Sequence, residues 1–131
     1  MSRQRFVAFA TVGIVGFLVQ VASLVVFVSV TRWPLLVATA ASVGLAVLHN
    51  FVWHERWTWA DRRRGSRGWP MRLVAFGATN GIASLAGNVG LVSLYAFAFH
   101  APPLAATVLA VISMTALNFV LADRLVFGET R

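Results

Sequence analysis

The stretch NFVWHERWTW at residues 50–59 returns as NFVLADRLVF at residues 118–127, and this repetition organises the rest of the chain. The same offset of 68 residues pairs Pro34 with Pro102. Apolar composition alone matches Leu and Val by chance, but it does not match Asn, Arg, Pro and an acid together. We therefore predict an internal duplication, with functional sites that come in pseudo-symmetric pairs.

Four apolar runs surround the two repeated stretches, and each is long enough to cross a membrane. They cover residues 6–30, 34–53, 73–99 and 104–122. A helix of about 20 apolar residues spans a hydrocarbon core of about 30 Å. A chain with 59% hydrophobic and only 11% charged residues cannot bury this surface as a soluble globule. We predict a single all-α transmembrane domain over residues 1–131, with four transmembrane helices arranged as two two-helix units repeated in parallel.

The distribution of arginine predicts how the chain is oriented. Ten of the eleven Arg residues fall on one side of the four-span arrangement, and only Arg32 falls on the other. Cytoplasmic flanks and short loops collect cationic residues. Both termini and the basic loop at residues 54–70 are therefore predicted on the cytoplasmic side of the inner membrane. The net charge of +7 lies where phospholipid headgroups are found, which favours anionic phospholipids over nucleic acid as partners.

An Arg near the end of each repeated stretch is a candidate for ligand binding. Arg56 and Arg124 are each followed, after two intervening residues, by an aromatic residue. A guanidinium at the bilayer surface offers a forked donor to a phosphate, and an aromatic neighbour covers a sugar face or lies at the headgroup level. Alternatively, both Arg residues only anchor the helix ends. The preceding acids, Glu55 and Asp123, either clamp the Arg of the opposite repeat or neutralise local charge.

Side-chain amides inside the apolar runs form a second group of candidates. They are Gln20, Asn50, Asn80, Asn88 and Asn118. Polar groups at this depth are costly unless they are paired or face a wet cavity. They therefore form either hydrogen bonds that bridge helices, which we favour, or a polar track for a ligand.

Catalytic and metal chemistry find little support in the sequence. The chain has no Cys, and His100 is predicted across the membrane from His49 and His54, so no metal-ligand set forms. All the acids are predicted at the cytoplasmic surface, and no Ser/His/acid set or Gly-rich phosphate loop is present. We predict no catalytic residues, no metal and no cofactor, and a protein that is not an enzyme.

The repeated Asn-Phe motif, the four predicted spans and the chain length resemble the GtrA-like family of small membrane proteins. The resemblance covers nearly the whole chain and rests most on the two stretches quoted above. This chain departs from the family pattern at one point, because Glu55 precedes Arg56 where the family more often has a basic pair. The part of the motif that joins Arg to an aromatic residue is intact.

The resemblance implies a function in lipid-linked sugar transport. Members of the family are associated with cell-surface polysaccharide synthesis and with moving polyprenyl-phosphate-linked monosaccharides across the cytoplasmic membrane. Carried onto this chain, it implies a flippase in which Arg56 and Arg124 receive the phosphate. Trp57, Trp59 and Phe127 are then the aromatic neighbours of the sugar or headgroup.

The sequence also bears on the assembly of the protein and on other functions it could have. Four spans cannot enclose a roomy headgroup cavity alone, which predicts a homo-oligomer. One alternative is a scaffold that recruits or stabilises a membrane glycosyltransferase without transport. A small multidrug-type exporter is less favoured, because it needs a membrane-embedded acid in the first helix, where this chain has Gln20.

Overall fold

A computed structural model of the chain describes residues 3–62 and 68–128. Within these ranges, the side chains of residues 83–85, 88, 103 and 104 are not described. Every regular element in the described ranges is helical, which confirms the predicted all-α class. The chain divides into two compact units, Met1–Ser66 and Arg67–Arg131, and their boundary falls between the two repeats.

The first unit consists of two long helices, α1 at Arg3–Ser29 and α2 at Leu35–Trp53. Neither helix contains Pro, so the ladder of backbone hydrogen bonds is unbroken in each. Pro34 precedes α2 with a φ of −55°, a position where its missing N–H costs nothing. The helical path continues beyond α2 as a π turn at His54–Thr58 and a short 3₁₀ turn at Ala60–Arg62.

Small residues spaced four apart form the interface between α1 and α2. The buried residues on α1 are Ala8, Phe9, Val12 and Gly16. Those on α2 are Ala38, Ser42, Ala46 and Phe51. Residues four apart share a helix face. Because most of these side chains are small, the two backbones approach closely, which is how helices associate where lipid removes the hydrophobic driving force.

The second unit contains α3 at Trp69–Gly77, α4 at Ala83–Ser93 and α5 at Pro103–Leu121. The buried stripe on α5 has the same spacing as that on α2: Ala106, Ala110 and Met114. These positions follow Ala38, Ser42 and Ala46 by 68 residues. The small-residue face of the first unit therefore has a counterpart at the matching positions of the second.

Residues 69–98 are helical without interruption, so the third apolar run forms one continuous helical path. Two π turns, at Ala78–Ile82 and Leu94–Ala98, widen this path locally. The first π turn contains Asn and Gly, which are poor helix formers. Within it, the Thr79 hydroxyl donates to the Ala75 carbonyl at 3.0 Å, a local bond that competes with the regular ladder.

The turn between α1 and α2 is closed by one residue in the left-handed conformation. Arg32 has a φ of 57°. The backbone N–H of Trp33 then donates to the Phe27 carbonyl at 3.0 Å, which satisfies an acceptor at the end of α1. This bond reaches back six residues, one more than the main bond of a Schellman motif, although the left-handed residue stands just before the donor as it does in that motif. The Trp33 ring stacks on Phe27, with centroids 4.8 Å apart.

The second unit closes its turn in the same way, 68 residues later. His100 has a φ of 53°, and the N–H of Ala101 donates to the Tyr95 carbonyl at 3.0 Å. A Pro follows within two residues in both turns, at Pro34 and Pro102. The matched dihedral angles and hydrogen bonds support the duplication predicted from the sequence.

The loop predicted at residues 54–70 is shorter in the structure, which corrects that boundary. The helical path runs on to Thr58, and α3 begins at Trp69. Two physical reasons explain the difference. Arg is a good helix former, so a charged composition does not end a helix. Pro70 then fits the first turn of α3, where Pro is favoured.

Three helices in the described ranges are long and apolar enough to cross a membrane. They are Arg3–Ser29, Leu35–Thr58 and Ala105–Val126. Val89–Ala98 is a shorter apolar helix within the third run, so a fourth crossing remains a prediction. Large apolar side chains such as Leu36, Ile82 and Phe97 are exposed. Exposed apolar side chains on long apolar helices are expected where helices face lipid.

Replacing His100 with Gly is expected to stabilise the fold. The left-handed conformation costs an L-residue roughly 1–2 kcal/mol, and the greater freedom of Gly in the unfolded chain offsets part of the gain. The net effect is a rise of about 2–4 °C in the apparent melting temperature. It is measured by intrinsic Trp fluorescence on the purified protein in detergent.

The matched control is Ala101→Gly, because the φ of Ala101 is not positive. This variant should lower the melting temperature, since Gly here adds only unfolded-state freedom. Equal shifts in the two variants would contradict the assignment of strain to residue 100.

Candidate functional site

Arg56 and Arg124 occupy equivalent positions in the two units. Each lies in the π turn that ends a long helix, His54–Thr58 in the first unit and Ala122–Val126 in the second. Both side chains are exposed. Within residues 3–62 and 68–128, neither makes a hydrogen bond or an ion pair. Each guanidinium therefore keeps its donors available to a ligand or to lipid.

The same backbone bond closes both π turns. The N–H of Trp59 donates to the His54 carbonyl at 2.8 Å, and that of Phe127 donates to the Ala122 carbonyl at 2.9 Å. These turns stand at the carboxyl ends of their helices, where the helix dipole is negative. Since the dipole repels an anion, any affinity for phosphate here depends on the guanidinium groups themselves.

The aromatic residues around Arg56 divide into one exposed and one buried ring. Trp57 is 54% exposed, whereas Trp59 is fully buried in the first unit. Trp59 meets the rings of Phe9 and His54 edge-on, at centroid distances of 5.9 and 5.4 Å. Phe9 and His54 stack at 4.6 Å. Phe127, the counterpart of Trp59, is also buried.

The buried positions give Trp59 and Phe127 a packing role in the structure. A ring with no exposed surface contacts a sugar only after the end of its unit opens. The predicted contact of these two residues with a headgroup therefore stays a prediction, and Trp57 is the aromatic residue that is accessible beside Arg56. The sequence did not distinguish Trp57 from Trp59, because both precede the same charged segment.

The acids of the two stretches differ from each other in burial. Glu55 is only 6% exposed, whereas Asp123 is half-buried. Their predicted clamping of the opposite Arg stays a prediction. The ion pair observed in the first unit joins Arg5 at the start of α1 to Asp61 in the 3₁₀ turn. Because both partners are partly exposed, it contributes at most about 1 kcal/mol.

Asn50 lies directly against the backbone of α1. A Cβ atom built at Gly16 would overlap the side-chain amide of Asn50, so any larger residue at this position requires that amide to move. The His49 Nδ1 donates to the same Oδ1 at 3.2 Å. The amide of Asn50 therefore lies in the contact between α1 and α2, while its hydrogen bond to His49 stays within α2, so the predicted bridging of helices stays a prediction.

The remaining amides lie at varied depths. Gln20 and Asn118 are half-buried. The Nδ2 of Asn80 donates to the Thr79 hydroxyl at 3.1 Å inside the first π turn of the second unit. The side chain of Asn88 lies outside the described part of the chain. Whether these residues form a polar track for a ligand stays a prediction.

Two polar features were missed at the sequence level. Arg72 in α3 is only 7% exposed, although it was assigned to the membrane surface. The signal was the match of Arg72-Leu-Val-Ala-Phe to Arg5-Phe-Val-Ala-Phe, which fixes an Arg relative to an apolar helix face. The Tyr95 hydroxyl also lies 2.9 Å from that of Ser113, linking the end of the third apolar run to α5.

A lateral groove of about 200 Å³ lies between α1 and α2 in the first unit. Its lining residues are Thr11, Val12, Val15, His49, Trp53 and Trp57. All of them belong to the two helices that are apolar enough to cross a membrane. The exposed Trp57 thus connects the turn that carries Arg56 to the apolar surface of the groove.

These elements define the class of the protein: a small, all-helical membrane protein whose two units end in matched turns that each expose an Arg. The family described as GtrA/DPMS, transmembrane domain, matches residues 8–127. The chain belongs to this family, as its resemblance at the sequence level indicated.

A second comparison links the chain to a larger enzyme. The chain is 42% identical over 62 residues to a dolichol-phosphate mannosyltransferase of Pyrococcus furiosus. The matched region is 47% of this chain but only 17% of that protein. Most of the mannosyltransferase therefore has no counterpart here.

Adding a methyl group at Gly16 is expected to destabilise the first unit. In Gly16→Ala the Cβ atom displaces the Asn50 amide, at a cost of about 1–3 kcal/mol. Gly13→Ala is the matched control on the same helix, because a Cβ there meets nothing within 4 Å. It should be neutral or stabilise by up to about 1 kcal/mol, since Ala is the better helix former. Thermal unfolding in detergent measures both, and equal effects would contradict the close approach.

Truncating Trp59 and Trp57 should separate packing from surface exposure. Trp59→Ala is expected to cost about 3–5 kcal/mol by leaving a cavity beside Phe9 and His54. Trp57→Ala should change the stability by no more than about 0.5 kcal/mol. Trp59→Phe should be mild, because Phe127 already fills the matching position. Thermal unfolding again gives the comparison, and a harmless Trp59→Ala would refute the packing role.

Proposed function

We propose that this protein translocates a polyprenyl-phosphate-linked monosaccharide across the cytoplasmic membrane for the synthesis of a cell-surface polysaccharide or glycan. The observation that carries the proposal is the pair of exposed guanidinium groups, Arg56 and Arg124, at the same position of two matched turns. The family membership and the partial match to a dolichol-phosphate mannosyltransferase support a ligand of this chemical class.

The chemistry of the ligand explains why a protein is needed. A phosphate and a sugar are strongly hydrated, so their transfer into hydrocarbon is unfavourable without replacement hydrogen bonds. A guanidinium offers a phosphate two parallel, charge-assisted hydrogen bonds. The polyprenyl tail is apolar and remains in the bilayer while the headgroup crosses. We assign the phosphate to Arg56 and Arg124, and the headgroup face to Trp57.

The topology proposed for this function has four crossings with both termini in the cytoplasm. The Arg-rich flanks then contact anionic phospholipids of the inner leaflet. Two units repeated in parallel present Arg56 and Arg124 to the same leaflet, where a sugar lipid made in the cytoplasm arrives. A homo-oligomer supplies the width that a hydrated headgroup needs.

A scaffold for a glycosyltransferase is the second candidate function. It is favoured by one specific observation, the match to a part of a mannosyltransferase. In that relative, a segment similar to this chain belongs to the same polypeptide as the rest of the enzyme. In this second candidate function, the domain recruits or stabilises a membrane glycosyltransferase without moving lipid.

The test of the proposed function measures transport by Arg variants. The purified chain is reconstituted into liposomes with a labelled polyprenyl-phosphate sugar, and its movement between leaflets is followed. Loss of a charged hydrogen bond costs about 1.5–3 kcal/mol. Arg56→Ala and Arg124→Ala should therefore each slow transport by about 10- to 100-fold.

Arg3→Ala is the matched control, because Arg3 is also exposed and lies outside both turns. It should transport at the wild-type rate. Equal rates in all variants would refute the role of the two turns. Absence of transport in the wild-type chain, together with capture of a co-expressed glycosyltransferase, would establish the scaffold instead.

A further inference from the structure

The groove between α1 and α2 has an aromatic wall that runs along one helix. His49, Trp53 and Trp57 are spaced four apart, so they follow one another along the same side of α2 and its π turn. The rings of His49 and Trp53 lie 6.3 Å apart. Thr11 and Val15 of α1 contribute to the opposite wall.

This aromatic stripe is specific to the first unit. The three residues that follow His49, Trp53 and Trp57 by 68 positions are all leucine: Leu117, Leu121 and Leu125. The Asn, Phe, Val and Arg of the repeated stretches are nevertheless kept in both units. The two units therefore share the Arg turn but differ in the surface that leads to it.

The lining of the groove is almost entirely apolar, which indicates an apolar occupant. The Thr11 hydroxyl donates to the Val7 carbonyl at 2.9 Å. The Nδ1 of His49 donates to the Asn50 side chain. A volume of about 200 Å³ exceeds the cavity of about 150 Å³ that binds benzene in an engineered protein core. This space suits a segment of hydrocarbon chain rather than a sugar phosphate.

We propose that this groove binds the isoprenoid chain of a polyprenyl lipid and leads its phosphate to Arg56. The proposal rests on the proposed function, which it deepens by assigning the tail to the first unit. Trp side chains offer large, flat apolar surfaces. An isoprenoid unit contains a flat double bond that carries a methyl group, and its shape lets it lie against such a surface. A saturated acyl chain has no such group. It therefore gains nothing from aromatic rings and would pack on the leucine stripe of the second unit as well as on the aromatic stripe of the first.

The first variant transfers the leucine pattern of the second unit to the first. It combines His49→Leu, Trp53→Leu and Trp57→Leu, three changes that the same fold already carries at the matching positions. The probe is radiolabelled polyprenol, which has the isoprenoid chain but no phosphate. Its equilibrium binding is measured on the purified full chain in detergent. We expect binding about tenfold weaker than in the wild type, the equivalent of about 1.4 kcal/mol.

A second variant leaves the aromatic rings in place and fills the groove. Val15 lines the groove and is exposed, so Val15→Phe narrows the space without disturbing a buried position. It should weaken polyprenol binding to a similar degree. The control is Trp33→Leu, which removes an exposed aromatic ring at the opposite end of α2 and should bind polyprenol normally.

The Arg variants separate this proposal from the proposed function. Polyprenol carries no phosphate, so Arg56→Ala and Arg124→Ala should bind it normally even though they transport poorly. If the wild-type chain fails to transport the sugar lipid but binds polyprenol in a way that depends on the groove, the proposed function is rejected and the groove proposal stands. Unchanged polyprenol binding in both groove variants would overturn the groove proposal. It would also be overturned if phosphatidylglycerol competed with labelled polyprenol as well as unlabelled polyprenol does. A third contrary result is that the groove variants convert an oligomer of the wild-type chain to monomers, because the groove would then be an interface between copies.

Discussion

The structure depends on one constraint, which is that a backbone inside hydrocarbon has no water to bond. Each N–H and C=O group must find its partner within the chain, and a helix is the simplest solution. The long helices contain no interior Pro, and the third apolar run stays helical through two π turns. Hydroxyl side chains obey the same rule, as in the bonds of Ser23 and Ser42 to carbonyls four residues earlier. In the described ranges, irregular backbone lies at the ends of the helices, where the two turns with a left-handed residue satisfy the carbonyls of Phe27 and Tyr95.

The same constraint decides how the helices associate and where function can reside. Lipid tails solvate apolar side chains as well as a neighbouring helix does, so close packing of small residues replaces hydrophobic burial. The stripes headed by Ala38 and Ala106 provide this packing in the two units. Polar side chains are then concentrated at the helix ends, where water and headgroups are within reach. The exposed Arg residues stand at these ends, next to the buried rings that close each unit.

Much of the fold could be predicted from the sequence, because hydropathy and repetition are local properties. The apolar runs gave the helices within a few residues, and the shared Asn, Arg and Pro residues indicated the two units. Burial at the helix ends could not be predicted. Trp57 and Trp59 stand two residues apart in the same charged segment, and only the structure shows that Trp57 is exposed and Trp59 is buried. The burial of Arg72 was likewise not predicted.

The contrast between the aromatic stripe of α2 and the leucine stripe of α5 also bears on how such a chain evolves. In a dimer of two identical half-sized subunits, every substitution appears twice, so an aromatic side chain introduced in one subunit is also present in the other. Covalent joining of the halves removes that coupling. Each half can then acquire its own lateral surface while the two Arg-bearing turns stay alike. One polypeptide thus carries two similar turns and two different lateral surfaces.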